Sequence, residues 1–413
     1  MFKRLILTML IVSLCGNCFV YGYGGNNKAG FIREGIVRGP LPGDPNSEDE
    51  IFRSLAVAPD NPDLVYVGSE GCGVFKSSDG GDTWTWLRNG LLYAAFNHPS
   101  YAETYDLCID PIDKDTVYWA ATGSPGPATG DYPSSNAGVY KSIDGGEQWT
   151  RKIAGLANSS VGSIAMADST TIYVGVNGGI HTATGWDISG RLFEGGICKS
   201  VDAGERWTKL ALPEPDIAKW SDFWRIVIRG TTIYALGQKD EEPDKGLGLV
   251  KSTDEGVTWT RANSPAGARF TSFDVGSDGK TVYAVDHWSR GGKVYRSTDG
   301  GARWNDVTPK RIQAYGPIRI SPHDSTNRTI FFTDRGPGNK GRLYKSTNGL
   351  SKNTIVLTVT EGLEANKDIS DIESTSDKDI IYAGAKGLLI YKSTDGGNSF
   401  TLKANLRKYI DGH

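Results

Sequence analysis

The sequence is poor in residues that mark a metal or nucleophilic centre. Its 413 residues hold 3 Met, 5 His and 5 Cys, with no C-x-x-C-H or zinc-ligand spacing among them, so no metal site and no resident cofactor is expected. His98, His181, His287, His323 and His413 are scattered, with no nucleophile motif beside them. The charges nearly cancel: 45 basic against 48 acidic residues give a formal net charge of −3. That balance leaves no footprint for nucleic acid or an anionic membrane. No amphipathic helical period appears after residue 24, and no apolar run is long enough for a transmembrane span.

One apolar stretch does occur, Leu5 to Leu14, behind Lys3 and Arg4 and ahead of small residues. This is the pattern of an export signal over residues 1–23, so an extracytoplasmic location, periplasmic or secreted, is expected. Leu14 and Asn17 are not the small residues that a lipid-modified Cys15 or Cys18 would follow. Removal of the signal leaves Cys72, Cys108 and Cys198, enough for at most one internal bridge, with Cys72 and Cys108 the expected pair.

What the chain has in quantity is turn and strand formers: 53 Gly, 18 Tyr, 13 Phe and 11 Trp. The stretch KSSDGGDTW recurs as KSIDGGEQW, KSVDAGERW, KSTDEGVTW, RSTDGGARW, KSTNGLSKN and KSTDGGNSF. These seven copies lie near residues 77–84, 142–149, 200–207, 252–259, 297–304, 346–353 and 393–400, a period of 45 to 65 residues. Each closes a unit of four strand-like segments; in the first unit these are FRSLAVAP, LVYVGS, GVFKS and TWTWL, read as alternating strands parted by Gly/Asp turns. The pattern predicts an all-β fold, a seven-bladed β-propeller of four-stranded antiparallel blades, over residues 51–407.

Within the copies Asp79, Asp144, Asp202, Asp254, Asp299 and Asp395 follow a serine by two residues, where a carboxylate accepts backbone N–H groups and fixes a turn. Trp84, Trp149, Trp207, Trp259 and Trp304 come next and are expected to plug the seams between blades. This S-x-D-x-G-x-T-W pattern resembles the Asp-box, or bacterial neuraminidase repeat, of sialidases, xyloglucanase-type glycoside hydrolases, sortilin-type receptors and photosystem II stability factors. The resemblance implies the propeller, a structural role for the six aspartates, and a functional face opposite the boxes.

Enzymatic readings find little to hold. FWRIVIRG at 223–230 lacks the proline of a sialidase motif, so Arg225 and Arg229 are read as strand residues. Resemblance to xyloglucanases puts Glu70 at the position of a catalytic acid. In that family the second carboxyl comes from another propeller, for which this chain has no room, and Glu70 is the single weak catalytic candidate. GSDGKT at 276–281 reads as a hairpin turn and DPIDKD as a solvated turn.

The insertions fall between second and third strands and between blades, on the face opposite the boxes. They are aromatic, with Tyr93, Phe96, Tyr101, Tyr132, Trp186, Trp220, Phe223, Trp224 and Trp288 assigned to a binding face. Residues 24–50 read as an extended arm, with FIREGIVRG a candidate extra strand at ring closure. The leading expectation is a non-catalytic propeller that holds protein partners as a scaffold subunit or assembly factor, as in a multihaem complex such as hydrazine synthase. The alternative is a glycan-binding or xyloglucanase-like protein.

Overall fold

A computed structural model describes residues 52–411 except 70–71, 92, 95–99, 102, 123–135, 181–191, 220, 239–245, 288–290, 335–340, 351–356, 360–361 and 364–367. At 53, 93–94, 100–101, 103–104, 179–180, 192–193 and 357–359 it describes the backbone alone. The expected signal, the arm with FIREGIVRG, and Glu70 therefore lie outside the described residues.

Seven four-stranded antiparallel sheets follow one another along the chain, each with its strands in sequence order, and form a seven-bladed β-propeller. Their inner strands are Phe52–Ala58, Glu103–Ile109, Val161–Met166, Asp222–Arg229, Ser272–Val275, Ala314–Ile320 and Ile369–Ser374. The expected alternation gives way on the second strands: Val117–Thr122, VYWAAT, is buried at every position. Both faces of such a strand pack on neighbouring blades, so neither needs polar residues.

The recurrent turn is built from its own side chains. Ser77 Oγ donates to Asp79 Oδ1 at 2.8 Å and accepts from the Gly81 amide at 2.8 Å, while Asp79 Oδ1 accepts from the Thr83 amide at 2.8 Å. The serine–aspartate bond recurs at Ser142, Ser200, Ser252, Ser297 and Ser393. The turns of the second, third and fourth blades also receive the preceding blade. Tyr66 Oη and Lys76 Nζ both donate to the Gly145 carbonyl at 3.0 Å. Tyr118 and Lys141 do the same to Ala203 at 3.0 Å. These bonds latch one blade to the next through a main-chain oxygen that the turn presents.

Behind the latch an aromatic fills most seams. Trp149 is 2% exposed and packs with Tyr66 of the blade before it, and Trp84, Trp207 and Trp259 are buried in the same way. Burial on this scale contributes roughly 1.5–3 kcal/mol per side chain. The sixth blade has no tryptophan there and solves the packing differently. Leu350, at the turn position held elsewhere by glycine, adopts φ 56° and is fully buried beside Tyr283. A Cβ on the corresponding Gly81 would lie 3.7 Å from Trp84 Cζ2. Leucine at the glycine position thus occupies the space that the indole takes in other seams.

Among the described residues the ring closes without strand exchange. Phe52, Val65 and Phe75 of the first blade share one core with Tyr382 and Ile390 of the last, capped by Leu406 and by Ile410 of the helix Arg407–Asp411. The expected Cys72–Cys108 bridge is not formed, and all three described cysteines are thiols. The reason is placement: Cys72 is buried in the closing seam, whereas Cys108 packs in the seam between the second and third blades.

Candidate functional site

The pairing of Phe52 with Ser69, and of Ser69 with Gly73, puts the start of an inner strand beside the loop between second and third strands. The S-x-D turns follow the ends of the third strands. Inserted loops and turns therefore occupy opposite faces, with the central channel running between them.

Every inner strand presents an unpaired edge to that channel, and buried backbone groups there need partners. Side chains of the preceding blade supply them. Ser54 Oγ accepts from the Leu107 amide at 3.2 Å, Asp106 Oδ2 from Ile164 at 3.1 Å, Ser272 Oγ from Ile318 at 3.2 Å, and Asp371 Oδ2 from Leu55 at 3.1 Å. One layer further along, Asp274 Oδ2 accepts from Ile320 at 2.8 Å. Arg225 and Arg229 donate through Nε to the carbonyls of Phe273 and Val275, at 2.8 and 2.9 Å.

Most of these polar residues follow a β-bulge. The register slips between Phe52 and Ser54, Thr104 and Asp106, Val161 and Ser163, Phe223 and Arg225, and Ile369 and Asp371, with a longer irregularity from Ala314 to Ile318. A bulge leaves one residue outside the ladder and re-aims its side chain. Here Tyr105, Trp224 and Tyr315 are such residues, and all three line the loop-face mouth of the channel with His287, whose ring lies 5.0 Å from that of Tyr315. The cavity they surround holds about 660 Å³, with Asp106, Arg225, Arg319 and Asp371 beneath the collar.

A second cavity of about 330 Å³ continues toward the turn face, past Cys108, Asp274 and Glu373, and shares Arg225 and Arg319 with the first. Arg319 is bonded to Asp371, and Arg225 stands 3.8 Å from Asp274. Burial pushes the Glu373 carboxyl up to about 8, with the neighbouring Asp371 adding to the rise, and burial also raises Asp106 to about 6. The Cys108 thiol is pushed up to about 12 by burial and by Asp106, which removes it as a nucleophile. The arrangement can orient and charge-match a ligand at the mouth. Among the described residues no group of His, Cys, Asp and Glu is placed to hold a metal ion.

Of the residues assigned to the binding face, Trp224 does line the mouth, half-buried against the core between the fourth and fifth blades. Phe223 does not reach solvent. Its ring is fully buried between the third and fourth blades, in space opened by Gly175 and Gly237. The bulge turns adjacent residues to different seams. Tyr93 pairs with Tyr101 in a two-stranded hairpin, described by backbone alone. Phe96, Tyr132, Trp186, Trp220 and Trp288 lie outside the described residues. Tyr105, Tyr315, Asp106, Arg319, Asp371 and Glu373 were not singled out by sequence. All but Glu373, which lies two residues past Asp371, stand beside a register irregularity of an inner strand, which no local motif announces.

No protein-family model matches the chain. Xyloglucanase Xgh74A of Acetivibrio thermocellus is 26% identical over 302 residues, 68% of this chain and 29% of that protein. A Paenibacillus xyloglucanase is 24% identical over 374 residues, 82% of this chain and 30% of that protein. The chain spans under a third of the length of these curated relatives. Among solved structures, the GH74 xyloglucanase from Xanthomonas campestris superposes with a TM-score of 0.63 at 16% identity, covering 87% of this chain and 55% of that one. YCF48 bound to D1 peptide superposes at 0.56 and 13% identity, covering 86% and 99%. The protein is a seven-bladed β-propeller similar in fold to GH74 xyloglucanases and to YCF48.

Proposed function

We propose that the protein is a non-catalytic, extracytoplasmic propeller that holds a partner polypeptide on its loop face, as a scaffold subunit or assembly factor. The observation that carries this reading is the channel mouth. Bulges aim Tyr105, Trp224 and Tyr315 around fixed charges, while the acids Asp106 and Asp371 beneath them are engaged by main-chain amides. Aromatic anchors over fixed charges suit a protein interface, and engaged carboxylates are poorly disposed for proton transfer. The fold likeness to YCF48, solved with a D1 peptide, supports the same reading. On this view the S-x-D turns are Asp-boxes with a structural role, and residues 1–23 and 24–50 are a signal and an arm.

Sequence likeness to xyloglucanases favours a second reading, glycan binding or xyloglucan cleavage with Glu70 as an acid. Two measurements on natively purified protein separate them. Cross-linking to the co-purifying partner should map to the loop face, and Trp224→Ala should weaken that complex about thirtyfold, near 2 kcal/mol, when measured well below the melting temperature of the variant. Release of reducing ends from xyloglucan that Glu70→Gln abolishes would overturn the scaffold reading.

A further inference from the structure

Among the described residues five large apolar side chains are exposed, and four of them stand on turns of the second, third and fourth blades: Ile112 at 84%, Ile143 at 70%, Val201 at 69% and Val257 at 74%. A single exposed apolar residue is ordinary on a protein surface, but four on one face of three successive blades form a set. The S-x-D turn itself does not need them. At the position of Ile143 and Val201 the other copies carry Ser78, Thr253, Thr298, Thr347 and Thr394.

The latches place these side chains in a row. Lys141, two residues before Ile143, donates to the Ala203 carbonyl at 3.0 Å, two residues past Val201. Lys199, two residues before Val201, donates to the Glu255 carbonyl at 3.2 Å, two residues before Val257. In the second blade the Gly145 amide donates to the Asp115 carbonyl at 2.8 Å, which brings the loop of Ile112 beside the turn of Ile143. Exposed acids flank the row. Glu147 and Glu255 form no ion pair among the described residues, and Asp113, Asp115 and the turn carboxylates add to them. Lys141 and Lys152 answer Glu205 at 3.9 and 2.7 Å, Lys199 is held by its latch and Lys251 stands over the Tyr234 ring, so the outward cations are Lys114 and Arg206.

Side chains this exposed project from the surface and enclose no small molecule, so they suit a macromolecular contact. The acids around them disfavour an anionic membrane or a nucleic acid. A two-fold pairing of this face with a second copy sets acid against acid. We propose that the turn face of the second to fourth blades docks a basic polypeptide segment bearing apolar side chains, which cover Ile143, Val201 and Val257 while its lysines or arginines meet the flanking carboxylates. The face is separate from the channel mouth, and the proposal is independent of what that mouth holds.

The test selects from a random peptide library displayed on phage, using the full chain, with counter-selection on the variant Ile143→Thr/Val201→Thr/Val257→Asn, whose new residues are those of other copies at the same positions. That variant should melt within about 2 °C of wild type, because the altered side chains are exposed. Enriched sequences should combine lysine or arginine with apolar residues. One such peptide, synthesised, should bind wild type saturably, with affinity falling as salt rises, and the variant at least about tenfold more weakly. Leu402→Thr, which alters the exposed apolar residue of the last blade, should bind as wild type does. No enrichment over the variant, an acidic or uncharged consensus, equal binding by the variant, or an equal loss in Leu402→Thr would overturn the assignment. A variant that melts several degrees lower would overturn it as well, since the side chains would then serve the fold. So would a dimer in sedimentation that the variant dissolves, because it gives the face to a second copy.

Discussion

The carboxylates of the turns and those of the channel are the same chemical group in opposite situations. At Asp79 and Asp254 the side chains and amides of Thr83 and Thr258 stabilise the anion and hold each carboxyl at about 2. In the channel burial dominates, with Glu373 raised to about 8 and Asp106 to about 6. The signs of their linkage to folding follow. An unfolded aspartate titrates near 3.9, so the turn acids add stability above that pH and lose it as pH falls through about 2. An unfolded glutamate titrates near 4.3, so Glu373 holds its proton more tightly in the fold, and its contribution declines as pH rises through about 8. The repeated element is tuned for stability. The unrepeated one carries charge that works against it, which is the usual mark of a site kept for another reason.

The largest way to break this comparison is Asp371→Ala. Arg319 would stay buried without its acid, and the amides of Leu55 and Ile372 would lose their acceptor. A loss of about 3–5 kcal/mol is expected in denaturant unfolding, and a loss below about 1 kcal/mol would show the channel charges to be idle. Next is Glu373→Gln, which removes the titration and keeps the shape. At pH 8 the variant should be more stable than wild type by on the order of 2 kcal/mol, the gap closing toward pH 4. A gap that stays constant across that range would assign the effect to packing. Smallest is Ala203→Gly on the turn side. Ala203 sits at φ 57°, and relief of that strain, offset by the greater freedom of unfolded glycine, should stabilise by about 0.5 kcal/mol in thermal unfolding. Destabilisation would mean that the alanine methyl contributes packing.

The same contrast explains what could be read from the sequence. A turn is written within nine residues, so serine, aspartate, glycine and tryptophan announce it in five of the seven copies, and the blade count follows. The channel is written once per blade, with Asp106 and the Ile164 amide that it serves 58 residues apart. Whether a residue of an inner strand faces a seam or the lumen also depends on a bulge, which has no sequence signature here. Phe223 and Trp224 are neighbours of equal hydrophobic promise, yet one is core and the other lines the mouth. Leu350 is the converse case: KSTNGLSKN reads as a decayed copy, although its leucine repairs the packing that the missing indole would provide.

Closure without strand exchange among the described residues has a kinetic consequence. Most contacts join strands within a blade or in adjacent blades, so six seams can form between segments close in sequence. The seventh joins Leu55 to Asp371 across 316 residues and Tyr382 to Pro62 across 320. Loop-closure entropy is concentrated in that single encounter. Folding of the ring then has the form of a zipper with one late clasp, and the clasp has no shared strand to guide it, only side chains that must find their register.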